Sequence, residues 1–273
     1  MLKVFVDSGS SIKQFEKEEY NVEIIPLKIL LGDKEYFDGV DLTNEVFYDY
    51  LKKSKEFPKT SLPQLDTLED EITNLTNEGH EVIIITISSE ISGTYNAIRM
   101  LFSDNDKVHL VDSKCAVGGM RLIVDEINRH RNEPVQEILD KVNKLIPRIC
   151  VLAIPETLAY LYKGGRLGKL SFVVGTILHI KPIIGFVEGK VHAVAKKRSL
   201  LAGMNYIIEE LENCDLNYDI VGSYTYGLSN LEKLIELTPD KFKQNVRVID
   251  NLDPAIACHW GPNAFGYIFV RKE

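Results

Sequence analysis

The segment EVIIITIS, residues 81–88, constrains the fold more than any other stretch of the chain. A run this apolar and β-branched reads as a strand. Its lack of polar alternation requires cover on both faces, the condition of a central strand in a parallel sheet flanked by helices. Similar segments recur through the first half: KVFVDS (3–8), VEIIPLKILLG (22–32), KVHLVDS (107–113) and ICVLAIP (149–155). Amphipathic stretches of helical length, such as CAVGGMRLIVDEINRHRN and PVQEILDKVNKLIP, separate the later ones, which is the rhythm of βαβ units.

The pattern changes after about residue 155. ETLAYLYK ends at Gly164-Gly165, where a left-handed residue would close a helix. KPIIGFVEGKVHAVAKKR reads as a hairpin turning at Glu188-Gly189, and further helix-like and strand-like segments follow. The expectation is an α/β protein of two domains: residues 1–155, with a mainly parallel α/β sheet, and residues 156–273, an α+β unit with antiparallel pairing. A ligand is expected between them. At 273 residues each half is long enough to bury a core.

A net charge of −8 opposes non-specific attraction to nucleic acid or anionic lipid. The amino terminus reaches Asp7 too early for a signal peptide, and no apolar stretch approaches membrane-spanning length, so a cytoplasmic location is expected. Cys115, Cys150, Cys214 and Cys258 are spaced too widely for a disulfide framework and are expected as free thiols. The sequence has neither zinc-type spacing of His, Cys and carboxylates nor a phosphate-binding glycine loop, so neither a metal nor a nucleotide cofactor is expected.

Ligands of an open parallel sheet gather outside the carboxyl ends of its strands. Three strand exits there share a composition: DSGSS after KVFV, SSEISGT after VIIITI, and DSKCAVGG after HLV. Gly93 admits close backbone approach, while Ser92 and Thr94 carry hydroxyls beside a helix start, chemistry suited to an anionic oxygen. The same hydroxyls could serve only as helix caps. Further polar candidates are TSLP at 60–63, KGGR at 163–166, KKR at 196–198 and His259. Each has a plain alternative: a proline turn, a helix stop, a solvated strand end and a hydrogen-bonded structural histidine.

Taken together, VFVDSGSSI, the Thr60-Ser61 pair, ISSEISGTYNA, VDSKCAVGG, YLYKGGRLG, IKPII and HWGPNAFG resemble the signatures of the DegV family, in order along almost the whole chain. That resemblance implies two domains with a long-chain fatty acid bound between them and no other cofactor. It also implies a carboxylate held by Thr60, Ser61 and Ser92, within the loop of Gly93 and Thr94, and by His259. Many members are fatty-acid-binding subunits of a bacterial fatty acid kinase, so the implied partner is a separate ATP-binding subunit that makes an acyl phosphate. Such a carrier is non-catalytic and admits transient membrane contact. Arg166, Lys196 and Arg198 are candidates for a basic rim facing that partner. The sequence departs from the family pattern at Leu62, Gln64, Cys115, Cys258 and Asn263.

A fatty acid asks for an apolar tunnel and a polar head-group site. At roughly 0.8 kcal/mol per methylene, a chain of about fourteen methylenes gains on the order of 11 kcal/mol gross on burial. Candidate tunnel walls are LKILLG at 27–32 and LSFVVGTILHI at 170–180, whose other reading is plain core. Two competing functions use the same residues. One is a serine esterase built on Ser92, His259 and either Asp7 or Asp112, although GxSxG is absent. The other is a carrier of a different amphiphile without a kinase.

Overall fold

The computed structural model describes residues 1–167 and 180–273. Among these residues the strands are, in chain order, β1 (Leu2–Asp7), β2 (Glu23–Ile25), β3 (Lys28–Leu31), β4 (Lys34–Phe37), β5 (Lys59–Ser61), β6 (Glu81–Thr86) and β7 (Val108–Asp112). They continue with β8 (Ile149–Ile154), β9 (Lys181–Val187), β10 (Lys190–Lys197), β11 (Ile220–Tyr224), β12 (Val246–Ile249) and β13 (Phe265–Val270).

The expected parallel sheet is present, in the order β2-β1-β6-β7. Its strand β6 packs Val82 and Ile84 against Leu68, Ile72 and Ile98 on one side, and Ile83 and Ile85 into a second cluster on the other. Neither face meets water, which is why the sequence shows no alternation there. The second sheet has the order β10-β9-β8-β13-β11-β12 and is antiparallel except between β11 and β12. A small antiparallel sheet, β4-β3-β5, lies in the first half of the chain.

Two segments depart from the expected series. Residues 22–32 form two strands in different sheets: Pro26 stands between them and has no N–H for a ladder, so β2 joins β1 while β3 pairs with β4 and β5. Strand β8, expected to continue the first half, pairs with β13 from Ile149↔Val270 to Ile154↔Phe265 and so belongs to the second sheet. An apolar run of this kind suits a buried strand in either sheet, and only distant partners decide between them. The hairpin of β9 and β10 turns as expected, with positive φ at both Glu188 (51°) and Gly189 (82°), as a type I′ turn requires.

The two large sheets share one hydrophobic core. Ile83 and Ile85 of β6, Met120 and Ile123 of the helix Gly118–Arg129, and Val151, Val221 and Ile268 of the second sheet all belong to it. The alternation of β11 turns Val221 toward this core, while Ile220 and Tyr224 join a separate cluster with Leu231 and Leu234. Polar contacts tie the halves as well: Ser88 Oγ donates to the Gly189 carbonyl at 2.8 Å, and Lys13 pairs with Asp253 at 2.5 Å. The four cysteines are buried and unpaired. Among the described residues no helix is long and apolar enough to cross a membrane.

Candidate functional site

The three hydroxyl-rich strand exits meet, as a parallel sheet requires. Asp7, at the end of β1, is fully buried and accepts the Gly9 N–H at 2.9 Å and the Ile87 N–H at 2.7 Å, joining the first exit to the second. Burial raises its carboxyl pKa to about 7, against the opposing pull of those two amides. The Ser88 N–H reaches the Cys115 carbonyl at 2.9 Å, and the Val117 N–H reaches the Gly9 carbonyl at 2.8 Å, closing the ring of loops.

Two further elements face this ring. Strand β5 presents Thr60, opposite Ile29 of β3. The helix Pro254–Trp260, started by a proline at its first position, carries His259. The two side chains meet, with Thr60 Oγ1 and His259 Nε2 2.9 Å apart. His259 Nδ1 is buried without a hydrogen-bond partner among the described residues. It lies against Gly164, where an added Cβ would stand 2.4 Å from Nδ1, so glycine is required for this approach. The helix Ala159–Lys163 ends there as expected, with Gly165 left-handed (φ 74°) and the Arg166 N–H returning to the Leu161 carbonyl at 3.0 Å.

Burial, and then the positive charge of Arg166, pushes the His259 pKa down to about 3, so the ring is neutral at physiological pH. Arg166 is half-buried and donates to the Ile91 carbonyl at 3.0 Å and to the Gly164 carbonyl. Burial lowers its pKa, but a guanidinium keeps its charge. No carboxylate among the described residues pairs with it. Ser92 lies 2.9 Å from Thr94 Oγ1 and accepts the Thr94 N–H at 3.3 Å.

These groups converge on three adjoining cavities. The outermost is a cleft of about 770 Å³, lined in part by Ser89, Ser92, Gly93, Arg166, Lys190 and His192. Ile91, Ser92, Arg166 and Val191 also line the second, a narrow neck of about 40 Å³ that includes Thr60 and His259. Ala116, Phe186 and Trp260 of the neck in turn line the third, an inner cavity of about 30 Å³ between the two large sheets, walled by Val151, Ala153, Phe265 and Ile268 among others. The polar groups stand at the neck, and the walls beyond are almost wholly hydrocarbon.

The structure therefore brings together Thr60, Ser92, His259 and Arg166. Thr94 is buried behind Ser92, and Gly93 is exposed at the outer cleft. Ser61 is not brought to the neck: it is exposed, on the opposite side of β5 from Thr60, because successive strand residues alternate. Lys196 and Arg198 are exposed and line none of these three cavities. Lys196 stands opposite Pro182, at the far end of the hairpin from the cleft residues Val191 and His192. Of the proposed walls, Leu27 lines the neck, whereas Ile29 and Leu31 are core beneath Ala257 and Cys258. All of LSFVVGTILHI except Ile180 lies outside the described residues. Phe186, Trp260 and Ala116 escape sequence reasoning. The chain's one tryptophan beside His259 is the signal that could have found the second of them.

Asp7 is occupied by two backbone amides, and Asp112 by the Ser89 and Lys114 N–H groups and the Lys114 ammonium. Neither orients His259, and His259 engages Thr60 rather than Ser92. The relay of a serine hydrolase is not assembled.

Comparison with known proteins places the whole chain in one family. The model of the DegV family of uncharacterised proteins matches residues 1–272. The chain belongs to the DegV family. A DegV domain-containing protein of Clostridium acetobutylicum is 32% identical over 283 residues, covering 99% of each chain. Among solved structures, a fatty acid binding DegV family protein from Streptococcus agalactiae superposes with a TM-score of 0.90 at 26% identity, covering 100% of this chain and 99% of the other. A stearic acid-binding protein from Eubacterium ventriosum gives 0.86 at 25% identity with the same coverage.

Proposed function

We propose that this DegV protein binds one long-chain fatty acid between its two large sheets. The carboxylate sits at the neck, and the alkyl chain enters the inner cavity. The observation that carries this reading is the junction of a hydroxyl-lined neck, holding a neutral histidine and one arginine, with a hydrocarbon cavity behind it. The fatty acids bound by the two structural neighbours support it.

Each hydroxyl of the neck is backed by a second group. With Nε2 protonated, His259 donates to Thr60 Oγ1, and with its hydroxyl proton turned toward Ser92, Thr94 donates to Ser92 Oγ. Both neck hydroxyls then keep their own protons for the carboxylate. Neutral donors and one guanidinium fill the acid's lone pairs without burying an unpaired charge. Because Ser92 and Arg166 also border the outer cleft, an oxygen of the acid remains reachable from that side. In this reading the protein is a carrier, not a catalyst. It needs no cofactor of its own and offers the acid to a separate ATP-dependent fatty acid kinase that forms the acyl phosphate.

The neck and inner cavities are too small for an alkyl chain as they stand, so binding requires Phe186, Trp260 and their neighbours to move apart. Ordering and association costs offset part of the gain from burying the chain, leaving nanomolar to micromolar affinity. The test is solvent extraction and mass spectrometry of the purified protein, followed by incubation with stearic acid and the purified kinase. One acid per chain, converted to acyl phosphate only with both proteins and ATP, is expected. A protein that neither retains nor takes up an acid contradicts carriage. Uptake without phosphorylation leaves the carrier and removes the kinase.

A further inference from the structure

We infer that Ser223 makes the inner cavity selective for an acyl chain that carries a hydrogen-bonding group along its buried portion, a hydroxylated fatty acid. This rests on the fatty-acid reading and adds a substrate class to it. Ser223 is only 6% exposed and lines the inner cavity with Val151, Ala153, Phe265 and Ile268. Its cross-strand neighbour on β13 is Gly266, which has no side chain to offer. The Trp260 indole aside, the other described walls of this cavity are hydrocarbon.

A serine hydroxyl carries one donor and two acceptor sites. When methylenes cover it, those sites lose whatever solvent partner they have and gain nothing. A site that leaves a buried polar group unpaired discriminates against the ligand that fails to pair with it. A hydroxyl on the chain at that depth restores the bond and satisfies its own polarity too. One residue change thus acts on two ligands in opposite directions.

The test measures the affinities of stearic acid and of its 10-hydroxy and 12-hydroxy derivatives for the unsubstituted protein, Ser223→Ala and Ser223→Thr. For at least one hydroxylated acid, its preference over stearic acid should fall about tenfold in Ser223→Ala and persist in Ser223→Thr, which keeps the hydroxyl. Stearic acid itself should bind Ser223→Ala more tightly. A preference unchanged within about twofold for both derivatives overturns the assignment even though the acids bind. If none of the three acids binds the unsubstituted protein, the fatty-acid reading itself fails and this inference falls with it.

Discussion

Around the carboxyl edge of the parallel sheet, Ser8, Ser10, Ser88 and Ser113 bond to the backbone of other loop residues, whereas Thr60 and Ser92 pair with other side chains and line a cavity. Ser8 accepts the Leu27 N–H at 3.1 Å, Ser10 the Ile12 N–H at 3.2 Å, and Ser113 donates to the Cys115 carbonyl at 3.0 Å. Thr60 instead meets His259, and Ser92 meets Thr94. Hydroxyl-rich loops therefore hold two populations in different settings. What separates them is whether the hydroxyl faces a cavity, not residue type.

The largest expected effect tests whether His259 belongs with the ligand-facing group. Its folded pKa, about 3, lies below the ordinary 6.5, so as pH falls the unfolded chain takes up the proton first. The stability this provides is present above pH 6.5 and is lost as pH falls toward 3, up to roughly 5 kcal/mol. Asp7 acts in the opposite sense. Its raised pKa stabilises the fold below the ordinary carboxylate value, and that stability is lost as pH rises through about 7. Both proteins share Asp7, so urea unfolding of the unsubstituted protein and His259→Gln across pH 4 to 7 isolates the histidine. Identical slopes would place His259 in a solvated, protonatable setting.

The combined Thr60→Val and Ser92→Ala change should weaken stearic acid binding about a hundredfold, and the partners lost to His259 and Thr94 should cost about 1 to 3 kcal/mol of unfolding free energy. Unchanged affinity in a titration would return both residues to capping. Ser88→Ala should differ in affinity: loss of its bond to the Gly189 carbonyl costs about 1 to 2 kcal/mol in urea unfolding, with affinity within twofold. A large affinity loss there would erase the distinction between the two sets. Lys196→Ala with Arg198→Ala, both at exposed positions, should shift stability by less than about 0.5 kcal/mol and leave acid binding unchanged, read in the same two assays.

The parallel sheet was legible because β6 is apolar on both faces, a pattern that leaves few alternatives. The partner of β8 was not, since Val151 and Ile154 look alike whether β13 or a parallel neighbour lies beside them. Thr60, Ser92 and His259, which line one neck, were expected together from a family resemblance. The pairing of Thr60 with His259 spans 199 positions and has no local signal. Ser61 was expected beside Thr60 because the motif was treated as a unit, whereas strand alternation in β5 turns it to the other side. Arg166 was expected at a rim. Its bond to the Ile91 carbonyl, made across the two halves, draws it into the neck. The inner cavity was invisible in sequence because Ala116, Phe186, Ser223 and Trp260 become neighbours only through the shared core.

The most direct test of the central claim is a crystal structure with terminally brominated palmitic acid, read from the anomalous signal of bromine. Bromine in the inner cavity near Ala153 and Phe265, with the carboxylate within hydrogen-bond distance of Thr60 or Ser92, is the expected result. Bromine in the outer cleft near Lys190 and His192, or no bound acid at all, would contradict a head group at the neck and a chain between the sheets.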